Sequence, residues 1–79
     1  MDKDVAFEKF RVCAADVLGV PEEQITKEAH LADDLEADSL DLVELVMALE
    51  EVFDITVEES ELDGIETVGS AFDLIASKL

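Results

Sequence analysis

The segment Ser39–Phe53, SLDLVELVMALEEVF, constrains the fold of this chain most, because its apolar residues recur with the period of an α-helix. One side of the predicted helix is wide and apolar, and it is formed by Leu42, Leu45, Val46, Leu49, Val52 and Phe53. We expect this side to pack against other helices. Since the chain has 79 residues and 49% of them are apolar, we expect one small domain over residues 1–79.

Three other segments are predicted to be helical. A first helix covers about Asp4–Leu18, and Gly19 follows where a helix often ends. Its expected buried side is formed by Ala6, Phe10, Cys13, Ala14 and Val17. A short third helix covers about Glu58–Asp63. A last helix starts after Thr67, which suits the N-cap, and runs to about Ser77. The predicted fold class is therefore all-α, with four helices of which the third is short.

A long connection, residues 20–36, separates the first two helices. Three apolar residues are scattered along it, Ile25, Leu31 and Leu35. They predict that the connection packs over the core. Long loops in small domains often carry function, so this segment is of interest beyond its packing.

The charge of the chain restricts its partners. Five Lys and Arg stand against 22 Asp and Glu, for a net charge of −17. Nucleic acid and anionic membrane surfaces would repel such a chain, whereas a basic protein surface would attract it. We find no apolar run long enough to span a membrane and no signal peptide at the N-terminus, so we expect a cytoplasmic protein. Cys13 is the only cysteine and has no partner for an internal disulfide.

The side of the second helix opposite its core face is not plainly polar. Leu40, Val43 and Met47 fall there together, with acidic residues around them. A small bundle could bury the helix nearly all round. Alternatively, the apolar strip is exposed and binds a partner, and Met47 would suit a surface that adapts to several partners.

Ser39 stands at the start of this helix, and two interpretations are open. Serine at this position is commonly the N-cap. If Asp38 is the cap instead, with Asp41 completing a variant of the capping box, Ser39 is the first residue inside the helix. Its hydroxyl is then not used for capping and points outward at the positive end of the helix dipole, where an attached phosphate would be favourably placed.

Catalytic and metal sites are not predicted. A nucleophilic serine needs a base, and His30, the only histidine, lies in the preceding loop without a G-x-S-x-G elbow. The acidic stretch around Asp33 and Asp34 fails as a calcium-binding EF-hand loop in either register, because required ligands are replaced by apolar residues. The sequence has no cluster of Cys and His residues that could bind zinc. We therefore expect neither an enzyme nor a dedicated metal site.

The stretch DDLEADSLDLVELVMALEEVFDI closely resembles the central region of acyl carrier proteins, above all the free-standing carriers of bacterial type II fatty acid synthesis. Its D-S-L motif is Asp38-Ser39-Leu40. The resemblance implies a right-handed four-helix bundle with a long first loop and a short third helix. It also implies that a phosphopantetheinyl transferase attaches 4′-phosphopantetheine from coenzyme A to Ser39, and that the thiol of this group carries acyl chains as thioesters.

The resemblance further implies that the second helix binds the basic patches of fatty acid synthesis enzymes. The implied docking residues are Asp38, Leu40, Asp41, Val43, Glu44, Met47, Glu50 and Glu51. The family shelters the acyl chain between its helices. By analogy the residues that could line that space are Leu49, Val57, Leu62, Ile65, Ala71 and Ile75.

The chain departs from the family pattern at Glu36, where glycine is usual, and this puts the local loop geometry in question. Leu31 and Leu74 replace common aromatic residues. The expected function is an acyl carrier, monomeric, in fatty acid synthesis. A carrier for polyketide or another specialised acyl pathway, and an acidic helical adaptor without a cofactor, are the alternatives.

Overall fold

The computed structural model describes residues 2–79, which form three α-helices: α1 (Lys3–Leu18), α2 (Ser39–Phe53) and α3 (Val68–Ala76). Two short 3₁₀ helices, Glu22–Gln24 and Glu59–Leu62, lie in the connections. No strand is recorded in this part of the chain, although an isolated antiparallel bridge joins His30 and Thr67. The all-α class is confirmed. The four-helix count is not, because the predicted short third helix is a single 3₁₀ turn.

The helix ends follow from local capping. Asp2 caps α1 by accepting a hydrogen bond from the backbone N–H of Asp4 at 2.8 Å. The helix ends at Gly19, whose φ of 68° is left-handed and therefore favours glycine. Thr67 caps α3 through the backbone N–H of Ser70. The predicted ends of α1 and the predicted N-cap of the last helix are confirmed.

The core lies between the three helices. Phe10 of α1, Leu45 and Leu49 of α2, and Val68 and Ile75 of α3 are almost fully buried. Phe7, Phe10 and Phe72 pack edge-to-face or stacked, with ring centroids 5.0 to 6.1 Å apart. Phe53 at the end of α2 is also buried, and the other large residues of the buried core are aliphatic.

Some residues expected in the core lie nearer the surface. On α1, Ala6, Phe10 and Ala14 are buried, whereas Cys13 and Val17 are only partly covered. On α2, Leu42 is half-buried and Val52 is 46% exposed. The prediction for Val52 is wrong, because this residue lies at the edge of the core face, where α1 does not cover it.

The long connection packs over the core, as predicted. Ile25, Leu31 and Leu35 are buried, and so are Ala29 and Ala37. By contrast, residues 54–67, which join α2 to α3, contain no buried residue. The predicted loop Ile55-Thr56-Val57 is confirmed, since these residues lie outside any helix or strand.

Candidate attachment and docking site

Ser39 is the first residue of α2, and its side chain is exposed. Asp38 is the N-cap: its carboxylate accepts the backbone N–H of Asp41 at 2.9 Å, while the Asp41 carboxylate accepts the N–H of Asp38 at 3.2 Å. Within residues 2–79 no hydrogen bond to the Ser39 hydroxyl is recorded. The capping role therefore belongs to Asp38, and the Ser39 hydroxyl is free for chemistry.

The backbone before Ser39 is held in place on its core side. The N–H of Ala37 donates to the carbonyl of Leu31 at 2.8 Å, and both residues are buried. Between them, Glu36 has a left-handed backbone with φ of 56°. Glycine would adopt this conformation without strain, so the departure at Glu36 leaves the turn intact and adds strain to it.

An open cleft of about 410 Å³ lies beside Ser39. It runs between the long connection and the residues just before α3, and its lining is part polar and part apolar: His30, Leu31, Ala32, Asp33, Ala37, Asp38, Ser39, Leu42, Ile65 and Glu66. The backbone N–H of His30 donates to the Asp34 carboxylate at 2.7 Å, which fixes one wall.

A second, enclosed cavity lies behind this cleft. It measures about 10 Å³, which is barely the space of one water molecule. Its lining is apolar: Leu42, Leu45, Val46, Leu49, Leu62, Ile65, Ala71, Leu74 and Ile75. Leu42 and Ile65 line both spaces and so form the partition between the cleft at Ser39 and the interior.

The cavity brings together most of the residues expected to shelter an acyl chain. Leu49, Leu62, Ile65, Ala71 and Ile75 all line it. Val57 does not: it lines a separate groove of about 190 Å³ that Val43 and Met47 also border.

The outer side of α2 is exposed and partly apolar. Leu40 is 65% and Met47 is 60% exposed, and Val43 is exposed too. Glu44 and Glu51 are exposed on the same side. We call these five residues (Leu40, Val43, Glu44, Met47 and Glu51) the docking strip. The domain therefore does not bury α2 nearly all round, and the strip is available to a partner.

The acidic residues of α2 divide into two groups. Asp38 and Asp41 bond each other's backbone in the capping box. Glu50 is half-buried, and its carboxylate accepts the backbone N–H of Val57 at 3.0 Å. The carboxylates of Glu44 and Glu51 make no hydrogen bond within residues 2–79. Only these two acids have no role in the fold that would compete with binding a partner.

Comparison with known proteins decides the family. The family model for a phosphopantetheine attachment site matches residues 8–75. The chain is 54% identical over 74 residues to an acyl carrier protein of Saccharopolyspora erythraea, covering 94% of this chain and 78% of that protein. It is 47% identical over 79 residues to an acyl carrier protein of Petrotoga mobilis, covering 100% of this chain and 93% of that one. This chain belongs to the acyl carrier protein family.

The fold agrees with this assignment. The solved structure of a putative acyl carrier protein from Mycobacterium tuberculosis superposes with a TM-score of 0.83 at 32% identity, covering 91% of this chain and 96% of that one. As an acyl carrier protein, the chain is a carrier and not an enzyme, and its cofactor is 4′-phosphopantetheine.

Two features of this carrier were missed by sequence reasoning. The partition residue Leu42 was predicted only as core, and its place between cleft and cavity depends on the path of the distant residue Ile65. The bond from Glu50 to Val57 was missed as well. A signal for it exists, because Glu50 lies next to the core face on the helical wheel, whereas Glu44 and Glu51 lie opposite that face.

No group of three or more His, Cys, Asp or Glu among residues 2–79 is arranged to hold a metal ion. None of their helices has the length and apolar character that crossing a membrane requires.

Proposed function

We propose that Ser39 carries the 4′-phosphopantetheine arm and that the chain presents acyl thioesters on this arm to the enzymes of fatty acid synthesis. The observation that supports Ser39 most is its hydroxyl, which is exposed and released from capping by Asp38. A phosphodiester on this oxygen would lie at the positive end of α2, which would favour its negative charge.

The attachment reaction needs a partner enzyme. The Ser39 oxygen attacks the phosphorus of coenzyme A that bears the pantetheine, the pyrophosphate bond breaks, and adenosine 3′,5′-bisphosphate leaves. The hydroxyl proton must go to a base. His30 borders the same cleft, but among residues 2–79 no hydrogen bond joins it to Ser39. We therefore assign the base to a phosphopantetheinyl transferase, whose basic surface the acids around Ser39 attract.

The residues at Ser39 fit the arm. Pantetheine has two amides, a hydroxyl and a dimethyl group, and the cleft beside Ser39 has both carboxylates and apolar side chains on its walls. Asp33 and Glu66 can accept amide hydrogens, and Leu42 and Ile65 can pack on the methyl groups. When bound, the arm supplies the thiol that forms the acyl thioester.

The enclosed cavity is the proposed shelter for the acyl chain. At about 10 Å³ it is too small for an alkyl chain as it stands, so a wall must move to admit one. Its lining has no charged or polar side chain, so separating the walls breaks no side-chain hydrogen bond inside it. Leu42 and Ile65 are the proposed entry, because they separate the cavity from the cleft. Val57, which is outside this cavity, would join only after such a movement.

The docking strip is the proposed contact with partner enzymes. Leu40 and Met47 supply apolar area, and Glu44 and Glu51 supply charge. We propose that Asp38, Asp41 and Glu50 contribute negative potential while they hold the fold. With a net charge of −17, copies of the chain repel one another, which supports a monomer. We propose that this monomer acts as one domain in the cytoplasm.

Intact mass spectrometry tests the attachment. The chain is incubated with coenzyme A and a phosphopantetheinyl transferase, beside Ser39→Ala and a control, Ser60→Ala, at another exposed serine. We expect a gain of one phosphopantetheine on the parent and on Ser60→Ala, and none on Ser39→Ala. Loading of Ser39→Ala, or no loading of the parent by a transferase proven active on another carrier, would refute the assignment.

Docking and pathway are tested with condensing enzymes. Glu44→Lys or Glu51→Lys is expected to raise the KM for the loaded carrier, whereas Glu23→Lys, at an exposed acid away from α2, is expected to leave it unchanged. An equal effect of all three changes would show that only net charge matters. Faster turnover with a polyketide synthase than with a fatty acid synthase would reassign the pathway.

A further inference from the structure

The surface between α1 and α2 carries a shallow groove of about 560 Å³, apart from the cleft at Ser39. Its apolar lining comes from both helices: Val12, Cys13, Val17, Ala48 and Val52. Val12 is 51% and Val52 is 46% exposed, so the two valines present apolar surface to solvent. The cleft and the cavity are the proposed sites of the arm and the acyl chain, and this groove forms no part of either.

Acidic residues surround the groove. Three acidic residues line it, Glu8, Asp16 and Glu51, and one basic residue, Lys9. Burial, together with the Asp16 carboxylate, raises the pKa of the Cys13 thiol above its ordinary value, so the thiol is neutral at neutral pH. An apolar floor with an acidic rim complements an apolar side chain that is flanked by Lys or Arg.

The groove is continuous with the docking strip but distant from Ser39. Glu51 belongs to both surfaces. Along α2, Val52 lies about 20 Å from Ser39 at the helical rise of about 1.5 Å per residue. A protein bound at the groove therefore leaves the Ser39 end of α2 open to another enzyme.

We propose that the α1–α2 groove is a second docking surface, which binds an amphipathic helix of a partner protein. An apolar residue of that helix enters between Val12 and Val52, and its flanking Lys or Arg side chains pair with Glu8, Asp16 and Glu51. A second copy of this chain is a poor occupant, because its own net charge of −17 would be repelled by the acidic rim. The inference rests on the proposed docking role of α2 for its continuity through Glu51, but not on attachment at Ser39.

The test uses the full chain without its arm, so failure of attachment and failure of this proposal are separate results. The probe is a synthetic peptide of about 18 residues, long enough to form a helix, with leucines on one face, lysines beside them and alanines elsewhere. Two matched peptides replace the lysines by glutamates or the leucines by alanines. Amide chemical shifts of the carrier are followed during titration. We expect the largest shifts at residues 8–17 and 48–52, and binding by the first peptide alone.

Variants then locate the site. Val12→Lys and Val52→Lys are expected to weaken binding about tenfold or more, since each puts a positive charge in the groove. Val5→Lys, on α1 with 50% exposure but outside the groove, is expected to bind like the parent. Melting curves check that each variant folds. The proposal is overturned if no peptide binds, or if the shifts map only to Leu40 and Met47. It is also overturned if Val5→Lys loses as much affinity as the two groove variants, or if the peptide with alanines in place of leucines binds as well as the first peptide. A second copy of the chain bound in the groove would overturn it too.

Discussion

The two connections of this carrier are built in opposite ways. The first, residues 19–38, has one 3₁₀ helix, Glu22–Gln24, and five of its apolar residues are buried: Ile25, Ala29, Leu31, Leu35 and Ala37. The second, residues 54–67, also has one 3₁₀ helix, Glu59–Leu62, but none of its residues is buried. Regular secondary structure therefore does not distinguish the two connections, whereas burial does, and we expect the buried connection to be the firmer one.

Hydrogen bonds follow the same division. The first connection is joined to the start of α3 by backbone bonds from Val68 to Ala29 at 2.9 Å and from Gly69 to Lys27 at 3.0 Å. The second is bonded to the first near its end, where the backbone N–H of Leu31 donates to the carbonyl of Glu66 at 2.9 Å, and before that point the carboxylates of Glu50 and Glu61 hold it. Since the second connection supplies Leu62 and Ile65 to the cavity, we infer that it is the wall that yields to an acyl chain.

The largest expected contrast comes from truncating one isoleucine in each connection. Ile25→Ala should cost about 2–5 kcal/mol, because Ile25 is 1% exposed and its removal leaves a cavity. Ile65→Ala should cost no more than about half of that, because Ile65 is only half-buried and the gap opens to the cleft. Urea unfolding measures both. Equal losses would mean that the two connections are equally firm.

The next effect concerns Glu50. Glu50→Ala removes the acceptor of the Val57 N–H, which is partly buried, and should lower the free energy of unfolding by about 1–2 kcal/mol. Glu51→Ala is the matched control one residue on. It is exposed and should change stability by less than about 0.5 kcal/mol. If the two substitutions lower the free energy of unfolding equally, the hydrogen bond from Val57 to Glu50 does not stabilise the second connection.

The sequence predicted the three α-helices and the Thr67 cap of α3, because these depend on neighbours along the chain. The spacing of Asp38 and Asp41 made Asp38 one of two possible caps of α2, and the structure decides for Asp38 over Ser39. The docking strip was predictable from periodicity once the opposite face was assigned to the core. The partition by Leu42 and Ile65 was not, because it requires the second connection to come back beside α2. Val52 was misjudged since one residue at the border of a helical face can lie on either side.

A smaller effect compares the two non-glycine residues with positive φ, one in each connection. Glu36 has φ of 56° and Asp54 has φ of 53°. Glu36→Gly should stabilise the protein by about 0.5 kcal/mol, because the relief of left-handed strain exceeds the added entropy of the unfolded chain. Asp54→Gly should gain less, since aspartate adopts this region more readily than glutamate. Thermal unfolding of both variants tests the order, and a larger gain at Asp54 would contradict it.

The smallest expected effect is at Glu61, which joins the second connection to the C-terminal end of α3. Its carboxylate accepts the backbone N–H of Glu58 at 2.9 Å and pairs with the Lys78 ammonium at 2.9 Å. These contacts, the backbone bond first, lower the pKa of Glu61 below its ordinary value. A carboxyl group with a lowered folded-state pKa stabilises the fold above its unfolded pKa of about 4.3, and this contribution is lost as pH falls through the folded value.

Glu61→Gln should therefore destabilise the protein slightly at neutral pH, and the difference from the parent should shrink in acid. Because acid also relieves the repulsion of the whole chain, the quantity to follow is the difference between parent and variant in urea unfolding. Glu8→Gln, which removes an exposed pair with Arg11 on α1, is the control for loss of a charge. Faster hydrogen exchange at Ile65 in Glu61→Gln, but not in Glu8→Gln, would tie the pair to the yielding wall of the cavity. A difference that stays the same from neutral pH into acid would show that the Glu61 carboxylate does not hold this wall through its charge.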